Sequence, residues 1–311
     1  MVTSRKHIPR PIAASTIVLA GVIWGGSFAA MQHALQGGLS VGALVSLRFT
    51  IAAAALAVLA WFMRLPWNRR AVVEGVWLGL LLTAIFWLQV DGLRYTTTAK
   101  SAFITGLYVM FTPLIATFWG EHVRWQHAAG AALATVGLYA LVHVPGQPWG
   151  GWNRGDFETL LCSAICGVQI VLTSRYNRRS NTWILLTVQV AVVGIISAVI
   201  TAVLPGAYGF QGVAAALRKP DVLASIAYIT ALATLFCFWA MNTMQAHLTS
   251  TEAAVMFTSE PVAAAVISIF WLHEAMRPTQ LLGGAVIVLA MLFSEIVPAI
   301  QRRAAVSEAA D

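Results

Sequence analysis

Apolar residues run along this chain in stretches of about twenty, longer and more continuous than the striped faces of soluble helices. Short polar or Gly/Pro-bearing turns interrupt them. The pattern predicts ten helices near residues 12–33, 40–63, 72–93, 98–119, 125–143, 156–175, 182–204, 221–246, 250–272 and 279–300. At 1.5 Å per residue each is long enough to cross about 30 Å of hydrocarbon. Backbone groups in a bilayer have no water to bond, so spans of this length are expected to be helical. The expected fold class is an all-α integral membrane protein with ten transmembrane helices.

Composition supports this pattern. The chain is 59% hydrophobic and 10% charged, whereas soluble domains carry about a quarter charged residues. The connections are short, and no linker or low-complexity stretch marks off a soluble domain. Arg5, Lys6 and Arg10 precede the first apolar run, which continues through Trp24 and Phe28 beyond the length of a signal-peptide core. A retained first helix is expected.

With the N-terminus inside, one side of the membrane receives Arg5, Lys6, Arg10, Arg64, Arg69, Arg70, Arg124, Arg175, Arg178, Arg179, Arg302 and Arg303. The other receives Arg94, Lys100, Arg154, Arg218, Lys219 and Arg277. The bias predicts cytoplasmic termini. It also accounts for the net charge of +7 through basic loops facing anionic lipid, so the bilayer is the expected partner and nucleic acid is not.

The chain repeats itself. Glu121–Ala132 and Glu274–Ala285 both spell E-x-x-R-x5-G-x-A, between apolar runs each time. The same register aligns Thr98 with Thr251, Thr105 with Thr258 and Val109 with Val262. Two halves of five spans each, residues 1–145 and 146–311, must enter the membrane from opposite sides, which makes the repeat inverted. The E-x-x-R turns themselves read as helix caps and interfacial ion pairs before they read as a gate.

The ordered set of a W-G-x-S-F element (Trp24 to Phe28) in the first helix, Arg48-Phe49 in the second and Glu260-Pro261 in the ninth resembles the drug/metabolite transporter superfamily. Each half is similar to one EamA-type domain, and the whole chain looks most like bacterial inner-membrane amino-acid exporters. The sequence departs from that pattern at Cys166, where a tryptophan often opens the second half, and at Tyr108, which stands in the repeat register where Pro261 does. The resemblance implies export of small molecules from a cavity between the halves, by alternating access.

Arg48 and Glu260 are the leading candidate residues. They lie about nine and ten residues into their spans, roughly 12–15 Å deep from opposite faces. Charge at that depth costs about 2.5–3.5 kcal/mol on insertion scales and belongs in the protein interior with a partner. The two are expected to pair directly or to share a hydrated cavity. A purely structural ion pair is the competing reading, and Glu260 beside Pro261 also suits a proton or substrate ammonium. Gln89, Gln169, Gln189, Asn242 and Gln245 can bond a zwitterion or one another. Trp24, Trp87, Tyr108, Trp239, Phe28 and Phe257 can line an apolar cavity or simply face lipid. The glycines at 21, 25 and 26, at 75 and 79, and at 283 and 284 read as close helix contacts.

Enzyme and pump signatures fail. No histidine pair stands at zinc spacing near Glu121 or Glu274, and there is no phosphate-cradling Gly-Lys-Ser/Thr loop. Cys162, Cys166 and Cys237 all fall within spans, and Cys162 and Cys166 share a helix face in poor geometry for a disulfide. No metal, cofactor or catalytic residue is expected. The leading expectation is a secondary exporter of neutral and aromatic amino acids, able to work as a monomer. An exporter of drugs or other metabolites is the alternative, and a membrane enzyme or signalling scaffold a distant third. Proton coupling through Glu260 and uncoupled facilitation both remain open.

Overall fold

The computed structural model describes residues 9–119, 125–143, 146, 151–177, 179–244 and 256–308. Among them every regular element is helical: α1 (Arg10–Gln36), α2 (Val41–Phe62), α3 (Arg69–Gly92), α4 (Thr98–Gly106), α5 (Tyr108–Ala116), α6 (Trp125–Val142), α7 (Arg154–Asn177), α8 (Thr182–Val203), the short α9 (Val213–Ala216), α10 (Pro220–Thr230), α11 (Cys237–Met244), α12 (Ser259–Phe270) and α13 (Pro278–Glu308).

Polar residues in the turns fix where several helices start. Ser40, Asn68, Thr97 and Asn181 precede α2, α3, α4 and α8, and each side chain accepts a backbone N–H from the first turn. Pro220 sits at the first position of α10, where a missing N–H costs nothing.

Seven helical segments are long and apolar enough to cross a membrane: those near 11–36, 41–62, 69–92, 98–116, 154–177, 182–203 and 220–244. The expected fifth, ninth and tenth spans coincide with shorter apolar helices, Ala129–Val142, Ser259–Phe270 and Pro278–Phe293. Outward-facing positions stay apolar, as at Trp61, Phe62, Trp77, Val136, Ile195, Val199 and Val203. A belt of that size belongs in lipid.

Two predicted spans are interrupted. The fourth breaks at Leu107 into α4 and α5. The eighth contains a π-helical turn, Ala231–Phe236, between α10 and α11. The predicted ninth begins within residues outside the described set, and its helix α12 starts after a break at Thr258. Pro261 lies in that helix's first turn, where its absent N–H leaves the Phe257 carbonyl without a helical donor.

Helices α1–α6 pack mainly on helices α7–α13. α1 packs on α12, α10 and α11; α7 packs on α3, α4 and α5; α2 and α3 pack on α8; α6 packs on α13. Glycines set several approaches. A Cβ at Gly25 would stand 2.6 Å from the Glu260 carbonyl oxygen, and one at Gly137 would stand 2.8 Å from that of Gly283. The expected Gly75 and Gly79 contacts are with Val188 and Val192 of α8.

Candidate functional site

Residues beside the breaks in the fourth and ninth segments, and α11 just after the π-helical turn, line one cavity of about 100 Å³. Its wall is mostly apolar, with Phe28, Phe86, Phe238, Phe257, Leu82, Ile85, Ile170 and Met241. Six of the eight residues singled out in the sequence line it: Trp24, Arg48, Gln89, Tyr108, Gln169 and Glu260. Discontinuous helices meeting at a buried cavity are a recurring way to form a transport site, because irregular backbone is tolerated only there.

Arg48 and Glu260 share this cavity but do not form a direct ion pair. Arg48 is 1% exposed. Its Nε donates to Thr234 Oγ1 at 2.6 Å, its Nη2 to the Ala233 carbonyl at 3.4 Å and its Nη1 to Met31 Sδ at 3.5 Å. The guanidinium lies 4.5 Å from the Phe86 ring centroid, a cation–π contact. The π-helical turn explains why these partners are available. Its wider winding lets Thr234 Oγ1 donate to the Ile229 carbonyl five residues back. The Ala233 carbonyl accepts from both Arg48 and Trp24 Nε1, the latter at 2.8 Å.

Glu260 enters the cavity from the first turn of α12, where the helix dipole favours an acid. Its Oε2 accepts from the Tyr108 hydroxyl at 3.0 Å. Among the described residues its Oε1 has no hydrogen-bond partner. Tyr108 sits just past the Leu107 break, so the position that departs from proline supplies the hydroxyl that faces Glu260.

Gln169 donates to Gln189 at 3.2 Å, an interhelical bond of the expected kind. Gln169 Oε1 and Thr105 Oγ1 are buried without partners among the described residues. Gln89 lines the cavity, and its side chain makes no hydrogen bond to a described residue. Trp24 stacks on Phe257 at 5.8 Å, and Tyr108 meets Phe257 edge-on at 6.5 Å.

Trp239 and Asn242 do not line the cavity. In α11 it is Phe238 and Met241, three residues apart, that face inward. Trp239 and Asn242 follow each by one residue, about 100° around the helix. Trp239 packs on Phe236, and Asn242 accepts from Asn177 at 2.9 Å.

Two polar clusters flank the cavity. Where α3 ends and α7 begins, Asp156 accepts from Lys100 Nζ at 2.7 Å, Thr96 Oγ1 at 2.8 Å and Asn153 N–H at 3.0 Å. Beside it Asp91 accepts from Arg94 at 2.9 Å and Arg154 at 2.6 Å. On the same side Glu274, from the second copy of the repeated block, caps α4 of the other half. It accepts from the Thr98 and Ala99 N–H groups at 2.9 and 3.3 Å, and from the Ser268 hydroxyl. Glu121 and Arg124 of the first copy lie outside the described residues. At the opposite end of α3, Glu74 joins Arg70, Arg179 and Ser180. Sequence reasoning treated these basic residues only as markers of orientation. Asp91, Glu74 and Asp156 carried the same signal as Arg48, a charge within or at the edge of an apolar span. Thr234 and Ala233 had no such signal.

Multiple apolar helices around a mixed apolar–polar cavity define a multi-pass membrane protein of the transporter class. The EamA-like transporter family pattern matches this chain twice, over residues 11–143 and 153–295, and the chain belongs to that family. It is 29% identical over 293 residues to an uncharacterized transporter of Archaeoglobus fulgidus, covering 92% of this chain and 87% of the relative. A crystal structure of a protein 17% identical superposes with a TM-score of 0.63 over 93% of this chain and 96% of its own, a likeness of fold.

Proposed function

We propose that this transporter is a secondary exporter of neutral and aromatic amino acids in a bacterial inner membrane. The shared cavity carries the reading: an aromatic and aliphatic wall broken by Gln89, Gln169, Tyr108 and a carboxylate oxygen of Glu260 that has no donor among the described residues. Apolar side chains suit the wall, and the few polar groups suit an α-amino acid head. The drug-exporter alternative uses the same wall without needing the amides.

In this reading the three shorter apolar helices complete ten crossings. The halves, 1–145 and 146–311, form an inverted pair with both termini cytoplasmic. The pairwise packing supports this. α1 lies on α12 as the equivalent α7 lies on α4 and α5, and α3 lies on α7 as α10 and α11 lie on α1. The two family matches, one per half, support it too. Rocking of the halves then exposes the cavity to each side in turn, and a single chain suffices.

Counterflow in proteoliposomes holding the full-length protein tests the reading. Radiolabelled phenylalanine, leucine and methionine are expected to exchange. Movement of lipophilic cations with no flux of any amino acid overturns it. Repeating the flux with an imposed pH gradient tests coupling: a rate that ignores the gradient excludes proton antiport.

A further inference from the structure

The polar groups of the cavity are unequal in a way that bears on its cargo. A site that grips both ends of a zwitterion needs a free anion and a free cation. The anion is present, because Glu260 Oε1 has no donor among the described residues and Glu260 lines the cavity. The cation is not. Arg48 is buried to 1% exposure, with Nε and Nη2 spent on Thr234 and Ala233 and its face on Phe86. A cargo carboxylate would compete with Thr234, Ala233 and Met31 for the guanidinium, and displacing the Nη2 bond would leave the Ala233 carbonyl with fewer donors. What a carboxylate meets instead is neutral, the amide of Gln89. The aromatic residues Tyr108, Phe257 and Trp24 line the same cavity as Glu260, linked by ring contacts of 5.8 and 6.5 Å. Such faces attract cations and repel anions.

We propose that the cavity recognises cargo through a primary ammonium on Glu260 Oε1, with the side chain in the aromatic wall and the carboxylate dispensable. The cargo class then extends from amino acids to their decarboxylated primary amines, and carboxylic acids without the amine are excluded. This rests on the cavity being the transport site, as proposed above.

Native Cys166 supplies a readout that needs no variant. It lines the cavity beside Glu260, whereas Cys162 and Cys237 are fully buried. In the purified full-length protein in nanodiscs, the rate of Cys166 modification by a small thiol reagent is measured with phenethylamine, phenylalanine or 3-phenylpropionate present. Phenethylamine is expected to protect at concentrations near those of phenylalanine, and 3-phenylpropionate to need about tenfold more or to fail, because it leaves the carboxylate unpaired. Glu260→Gln is expected to remove protection by phenethylamine. Equal protection by 3-phenylpropionate and phenethylamine overturns the proposal, as does undiminished phenethylamine protection in a folded Glu260→Gln protein. Protection by phenethylamine without any by phenylalanine upholds ammonium recognition and defeats the amino-acid reading instead, so the two fail separately.

Discussion

Replacing Asp156 by asparagine removes one charge from a buried pair and leaves the other in place. Asp156 is fully buried and the Lys100 side chain is 8% exposed, with 2.7 Å between Nζ and Oδ2. At that separation, and at an effective dielectric constant near 20, the gross attraction is about 6 kcal/mol. Desolvation of both groups offsets much of it. The pair therefore contributes little net stability, yet breaking it is costly because Lys100 has no other carboxylate within ion-pair distance among the described residues. The expected loss is about 3–5 kcal/mol, a fall in melting temperature of about 6–10 °C for a chain of this size. The double variant Lys100→Met with Asp156→Asn, which buries no lone charge, is expected to recover most of that. A thiol-reactive dye followed on heating reports unfolding through the buried Cys162 and Cys237. A single variant melting within about 2 °C of the parent, or a double variant no better than the single, refutes the reasoning.

Two further outcomes follow from contacts between the halves. Gly137→Val places a methyl-bearing Cβ 2.8 Å from the Gly283 carbonyl oxygen and 3.0 Å from Ile287 N, backbone atoms that cannot turn aside. Separation of α6 from α13 is expected to cost about 1–3 kcal/mol or more, read as lost monodisperse protein in mild detergent; an unchanged elution profile and melt counts against it. Glu274→Ala removes the cap from the first two N–H groups of α4 and is expected to cost about 1–2 kcal/mol. Because the cap joins the two halves, faster hydrogen exchange at Thr98 and Ala99 is the specific readout, and unchanged exchange there rejects the cap.

Much of the helical layout was legible because long apolar runs and polar N-caps are local signals. Ser40, Asn68, Thr97 and Asn181 stand where the pattern turns, and the structure uses each as a cap. The break at Thr258 lies three residues before Pro261, although the apolar pattern reads 250–272 as one helix. The break at Leu107 and the π-helical turn were not legible, since no proline or glycine run marks either within three residues on both sides. The cavity was half legible. Depth alone identified Arg48 and Glu260 as interior charges, but depth does not say which way a side chain turns. Arg48 turned to Thr234 and Ala233 and Glu260 to Tyr108, so of the two expected arrangements the structure has the shared cavity and not the direct pair. Trp239 and Asn242 stand one position off the lining residues Phe238 and Met241, and the π-helical turn before them shifts the facing of everything after it.

That turn makes helix register a determinant of the cavity wall independent of residue type. A π-helical turn amounts to one extra residue inside an otherwise α-helical run, about 100° of added rotation. Between two relatives, the gain or loss of a single position in 231–236 would re-aim Phe238 and Met241 without altering either. Column-by-column comparison of side chains would then report an unchanged wall where the wall had changed. Gaps between α10 and α11 therefore bear on the shape of this wall as much as substitutions do.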